Sequence, residues 1–331
     1  MKKRLLPLCF ALFCPHLFAA EIAPGSAYMA PLASQSLLLD IATSVKGRLI
    51  SVGERGHILL SDDGEQWRQV EVPTDSSLTA VFTLDNHAWA VGHDAVILYS
   101  QDAGQSWQLQ HFDAEKQKPL MDVLFFDQQH GIAVGAYGLF YRTRDGGQSW
   151  QPEMHPELLD PADVEYLEEL RAEDVSLYEQ ELSAILPHLN RLSPADGKLY
   201  LAGEAGLLAV SEDRGQSWVP MEVDYYGSFF DIEQTPSGRL LAAGLRGHLF
   251  EYQEDAGWQE IATGTKSSLN SIVVVDEQTT LVVGNNGYLI WLNDGVQTQQ
   301  TEEEKAVVNA IPYDGRLLAV TETGIKVVSK K

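Results

Sequence analysis

Beyond residue 14 the chain has no cysteine: Cys9 and Cys14 are its only two, and both lie in the first twenty residues. No disulfide framework and no thiolate metal site can therefore hold the remainder together. Basic residues are also scarce, 23 Lys and Arg against 47 Asp and Glu. A surface of that sign repels phosphate backbones, which argues against nucleic acid as a partner. After residue 20 no apolar run reaches the length that a membrane span needs. The nine histidines are scattered without the spacing of a metal site, so neither a metal nor a cofactor is implied.

What the chain does have begins with a leader. Lys2, Lys3 and Arg4 precede an apolar stretch over residues 5–18, and Ala19-Ala20 offers a small-residue cleavage site. That is the pattern of a secretion signal over residues 1–20, cleaved near Ala20, and it predicts a periplasmic or otherwise exported chain. Phe13, directly before Cys14, argues against lipid attachment. Removing the leader leaves 20 basic against 47 acidic residues, a balance that favours solubility.

The rest is repetitive. Ser100-Gln101-Asp102-Ala103-Gly104-Gln105-Ser106-Trp107 recurs around Asp145 and Trp150 and again around Asp213 and Trp218, with a shortened copy at Ser61-Asp62-Asp63-Gly64-Glu65-Gln66-Trp67. Upstream of these octets runs a second motif, G-x-x-G, beginning at Gly53, Gly135, Gly203, Gly244 and Gly284, with degenerate copies at Gly92 and Thr321. The starts fall 39, 43, 68, 41, 40 and 37 residues apart, and the 68 contains an insertion. Seven units of this length predict an all-β, seven-bladed β-propeller with four-stranded blades, forming a single domain over residues 21–331. In the first unit the strands are expected at 37–43, 48–52, 58–61 and 67–72. The glycines of G-x-x-G are expected to supply positive φ between the second and third strands, and the octet to turn from the third to the fourth. The last unit lacks a fourth strand, and residues 25–33 are expected to supply it, closing the ring.

The octets are Asp-box, or BNR, repeats. Coupled to turns such as Gly53-Glu54-Arg55-Gly56-His57-Ile58-Leu59-Leu60-Ser61-Asp62, they give a chain that resembles the photosystem II stability and assembly factors and their bacterial relatives, over essentially all of residues 21–331. The resemblance implies non-enzymatic scaffolding of a protein partner, a membrane-protein complex, since that is the family's work in plants and cyanobacteria. The leader looks like ordinary bacterial export, so the scaffolding style carries over more directly than photosynthesis itself.

Three groups of residues are candidates for function. Asp102, Trp107, Asp145, Trp150, Asp213 and Trp218 are assigned to structure, as turn and inter-blade elements. A polar residue stands near the start of each innermost strand, at Asp40, Thr79, Asp122, Asn190, Asp231, Asn270 and Asn309, and these are expected to ring the mouth of the central channel. Asp40 and Asp231 each lie fifteen residues before an arginine of the following turn, Arg55 and Arg246, which suggests an ion pair within the blade. Otherwise Arg55, His93, Tyr137, Arg246 and Asn285 are free to bind a partner. The insertion over 153–187 carries a helix start at Asp160-Pro161 and a stripe of Val164, Leu167, Leu170, Leu177, Leu182 and Ile185. Between Glu153 and Glu181 it holds eleven carboxylates and one basic residue, Arg171.

Catalysis has little to stand on. No catalytic residue is assigned: a sialidase needs converging arginines that this chain lacks, and no Ser/His/Asp set is visible. A carbohydrate-active or carbohydrate-binding propeller is the alternative, using Asp40, Asp122 and Asp231 as paired acids and Tyr225-Tyr226 or Phe229-Phe230 as stacking platforms.

Overall fold

The second strand of each repeat is mostly apolar, and strands such as Leu49–Gly53, Gly131–Gly135, Leu240–Gly244 and Thr280–Gly284 are buried at every position. A strand buried on both faces needs a sheet packed against each side. The computed structural model, which describes residues 24–330, supplies this by packing seven antiparallel sheets face to face around an axis. The expected leader over 1–20 lies outside the described residues. Innermost strands run over Leu38–Thr43, Leu78–Leu84, Leu120–Phe125, Leu189–Ala195, Phe229–Gln234, Leu269–Val274 and Val307–Tyr313. Each touches the next, and the seventh touches the first, so the ring is closed. Every blade is a meander, strand pairing with strand in chain order. The turns between second and third strands therefore share one face with the connections between blades, and the Asp boxes occupy the other.

In the G-x-x-G turn only the second glycine takes positive φ. Gly56 has φ +71°, while Gly53 is extended and is glycine because a Cβ there would collide with the Leu37 carbonyl. The residue between them adopts the left-handed region as well: Arg55 has φ 56°, as do its counterparts Asp94, Tyr137 and Arg246 at 53–59°. Their side chains are thus thrown outward from the face.

The Asp boxes act as the sequence predicts. Asp102 accepts from the Ser106 N–H at 2.9 Å and the Ser106 hydroxyl at 2.6 Å, while Ser100 takes the Gly104 N–H at 2.9 Å. At Asp145 the same contacts, the Ser149 hydroxyl first, hold the carboxyl down at about 2. Trp107 donates to Gly104 O at 2.9 Å and packs on the preceding blade beside Ile50, Leu60 and Val70. Trp150 and Trp218 are buried in the same way against the blades before them.

The seventh sheet departs from expectation. It holds three strands, Val307–Tyr313, Arg316–Thr321 and Gly324–Val328, and residues 25–33 do not complete it. They lie along the outermost strand of blade 1 instead. Ala27 N donates to Val72 O at 3.0 Å, and the Gln69 amide bridges Tyr28 O and Ala30 N. Pro31 interrupts the donors that a ladder strand would need, and a side-chain amide that serves both directions of the backbone takes its place. The junction of blades 7 and 1 is sealed by other means. Leu318 and Val320 pack on Leu38, Leu49 and Leu59, and Tyr313 and Arg316 donate to Asp62 O and Asp63 O of the first Asp box. The missing strand has a local cost: Val327 is 61% exposed, and Trp67 is only half-buried, unlike Trp107.

Trp107→Ala should destabilise the propeller by about 3–5 kcal/mol, the range for a buried Trp truncation, and Trp67→Ala by less than half of that. Equilibrium urea unfolding followed by circular dichroism measures both, and equal losses would contradict the unequal burial.

Candidate functional site

Every innermost strand slips register against the neighbouring strand between its first and third residues, a bulge between Leu38 and Asp40 in blade 1 and at the same place in the other six. A bulge breaks the ladder and turns backbone groups away from it. On the axis those groups face the next blade, and the seven polar residues picked out from the sequence meet them. Asp40 Oδ2 accepts from Val81 N at 2.9 Å, Asp122 Oδ2 from Leu192 N at 2.8 Å and Asp231 Oδ2 from Ile272 N at 2.7 Å. In the blades between them the polarity reverses. Thr79 Oγ1 donates to Leu120 O at 2.6 Å, Asn190 Nδ2 to Phe229 O at 2.7 Å and Asn270 Nδ2 to Val307 O at 2.8 Å. Asn309 Nδ2 closes the circle on Asp40 Oδ1 at 2.6 Å. All seven junctions are therefore clasped, by alternating acceptors and donors.

The seven residues stand in two layers rather than one ring. Asp40, Asp122, Asp231 and Asn309 are the third residue of their strands, whereas Thr79, Asn190 and Asn270 are the second. The third-residue positions of the remaining blades are Ala80, Arg191 and Ser271. Counting back from the turn hid this, because the spacing from strand start to turn varies by one residue between blades. Aligning the units on the leading apolar residue of each innermost strand would have found Arg191.

Arg191 is the cation of the channel. Its Nη1 lies 3.7 Å from Asp122 Oδ1 and its Nε 3.5 Å from Asp231 Oδ1. Burial opposes its charge, and Asp122 and Asp231 outweigh that opposition, so it is held protonated. Burial pushes the Asp122 carboxyl up to about 6 against the pull of Arg191. Lower in the channel Glu233 accepts from the Ser193 hydroxyl at 2.9 Å, and it is pushed up to about 7 by burial and then by the neighbouring Asp231. The expected pairs of Asp40 with Arg55 and Asp231 with Arg246 do not form. Asp40 pairs in register with Val52, so Arg55 stands beyond the strand end, on an outward-facing turn.

Those turns make the exposed face. Arg55, His93, Tyr137, Arg246 and Asn285 are all exposed there. Asn285 Oδ1 accepts from Asn270 Nδ2 at 3.0 Å. Tyr137, 48% exposed, meets the His188 ring edge-on at 4.5 Å, with Lys118 Nζ 5.2 Å above it. It thereby seats the end of the insertion, whose Pro187 O accepts from Gly138 N. The insertion is a hairpin of two helices, α1 Pro161–Glu173 and α2 Val175–Ile185. Asp160 caps α1 through the Ala162 N–H, and Asp174 caps α2 through the N–H groups of Ser176 and Leu177. Leu167, Leu182, Leu186 and Leu159 form its small core. Leu177 and Ile185, which the helical stripe assigned to the buried side, are exposed, because the turn at Asp174 resets the phase between the two helices. Of the aromatic pairs, Phe229 is buried, Tyr225 packs on it at 4.9 Å, and Tyr226 points into solvent.

Seven radial sheets, four of them with an Asp-box turn between third and fourth strands, define the chain as an Asp-box β-propeller. The family model for the photosynthesis system II assembly factor YCF48 matches residues 59–119. Photosystem II assembly protein Ycf48 of Synechococcus sp. (strain JA-3-3Ab) is 35% identical over 188 residues, which cover 56% of this chain and 48% of that protein. The chain thus matches about half the length of this curated relative. A solved structure of YCF48 bound to D1 peptide superposes with a TM-score of 0.67 at 17% identity, covering 93% of this chain and 100% of that one. YCF48 from Cyanidioschyzon merolae gives 0.67 at 16%, covering 91% and 97%. Virginiamycin B lyase from Staphylococcus aureus gives 0.69 at 8%, covering 91% and 96%, a likeness of fold alone. The chain is thus similar to Ycf48 in sequence over about half of its length and in fold over most of it.

The channel acids yield a test of their burial. Glu233 has its ordinary value near 4.5 when unfolded and about 7 when folded. Across that window the folded chain keeps a proton that the unfolded chain has released, so stability falls as pH rises to 7. Glu233→Gln cannot ionise, so it should gain on the parent between about pH 5 and about pH 8, by up to about 3 kcal/mol. Thermal melts at the two pH values measure the gain, and a pH-independent difference would contradict the assignment.

Proposed function

We propose that this chain is a non-catalytic, exported scaffold that binds a protein partner belonging to a membrane-protein complex, through the face that carries the G-x-x-G turns and the helical hairpin. The observation that carries this reading is the concentration of exposed turn side chains, Arg55, His93, Tyr137, Arg246 and Asn285, together with the hairpin, on one face of a rigid ring. Rigid scaffolds commonly bind through such added loops and turns. The Ycf48 relative is an assembly protein, and the YCF48 structure holds a peptide, which supports protein binding here.

The channel supports the same reading. Asp40, Asp122 and Asp231 each spend one oxygen on the N–H of the following residue and the other on the next blade. A glycosidase needs one free carboxylic acid and one free carboxylate facing a substrate. These three serve closure instead, and the carbohydrate reading loses its acids.

In-cell photocrosslinking tests the proposal. A benzophenone amino acid at Arg55 or Arg246 should yield a discrete adduct with a membrane protein, and one at Gln148, on the Asp-box face, should yield none. Equal capture from both faces, or from neither, would overturn it.

A further inference from the structure

The two arginines are not the only feature of this face. Where the hairpin leaves and rejoins the propeller, it borders the outer part of blade 4 along an open groove of about 290 Å³. The floor is apolar: Leu158, Leu207 and Leu208 lie at the bottom, and Met221 and Val223 are half-buried along the side. Two large side chains are left uncovered on it, Ile185 at 37% and Tyr226 at 88% exposure.

The rim has one sign. Asp160, Asp163, Glu204 and Glu222 border the groove, and no lysine, arginine or histidine lines it. Among the described residues none of the four has a lysine or arginine partner, and Glu204 meets His188 at 3.8 Å. The hairpin above adds Glu165, Glu168 and Glu169 against Arg171, whose charge already faces Glu168 and the Tyr178 ring. Arg246 stands on the turn of the next blade, beyond Tyr225, whose hydroxyl donates to Leu245 O at 3.1 Å. Carboxylates gathered around an apolar floor set up a negative potential that attracts cationic groups and repels acidic ones. Nor do they form a metal site, since the described residues contain no group of three or more metal-ligating side chains.

We propose that this groove docks a peptide segment of the partner in which one or two large apolar side chains are flanked by lysines or arginines. The apolar side chains would cover Ile185 and Tyr226, and the flanking cations would meet Asp163 and Glu222. An aromatic anchor on a rigid floor with charges at the edge is the usual division of labour in recognition, the anchor giving affinity and the rim giving selectivity. This proposal rests on the reading of the turn face as a partner-binding face, and it assigns that face a chemistry.

The test is a selection of random twelve-residue displayed peptides on the intact exported chain, followed by fluorescence anisotropy with the enriched peptides. Enriched sequences should carry Lys or Arg around Leu, Ile, Phe or Met. Binding should weaken about tenfold in Tyr226→Ser, as for a hot-spot side chain. It should weaken similarly in Asp163→Asn/Glu222→Gln, and fall with added salt. All three positions are exposed, and a thermal melt checks that the variants fold. Neutral or acidic enriched peptides, peptides indifferent to both variants, or no enrichment would overturn the proposal. Peptides that respond to Arg246→Ser but not to the groove variants would remove the groove and leave the binding face standing.

Discussion

The ring of hydrogen bonds around the axis is the constraint on which the rest depends. Each innermost strand is the inner edge of its sheet, and its bulge leaves N–H and C=O groups without a ladder partner. Buried backbone groups must find partners. Here one polar side chain per blade supplies them across the junction: a carboxylate where the neighbour offers an N–H, an amide or hydroxyl where it offers a carbonyl. Asn309 joins the last blade to Asp40 of the first, side chain to side chain. An odd number of blades forces one such junction, because donors and acceptors cannot alternate around seven positions.

That closure explains why the seventh sheet can do without a fourth strand. In many rings the ends of the chain are held by a shared sheet. In this one the axis is already clasped, Leu318 and Val320 complete the apolar seam with blade 1, and Tyr313 and Arg316 grip the first Asp box. The leading segment is free to lie on the outer strand of blade 1. The carboxylates concentrated near the axis are tolerated because Arg191 stands between Asp122 and Asp231, and because backbone N–H groups take both oxygens of each clasping aspartate.

With the centre occupied by closure, the proposed recognition falls to the periphery of one face. The turns place a left-handed residue at their apex, which directs the side chain outward whatever its identity, so Arg55, Tyr137 and Arg246 differ in chemistry on an invariant backbone. The hairpin breaks the symmetry of the ring. It sits on the Tyr137 turn, caps itself at both helix starts with aspartate, and brings an acidic, partly apolar wall to blade 4.

The repeats alone determined the blade count, the meander, the Asp-box geometry and the set of seven polar residues near the axis. Each depends on contacts within one unit of about forty residues, and such local contacts leave a periodic mark. The hairpin was legible too, from Asp160-Pro161 and its apolar stripe, although the phase change at Asp174 was not. What only the tertiary structure decided lies between units: the pairing of Asp231 with Arg191 rather than Arg246, the alternation of donors and acceptors, the path of residues 25–33 and the groove beside Tyr226. Those outcomes depend on which blade stands next to which side chain across a junction, and a one-residue bulge is enough to change that while leaving the repeat pattern intact.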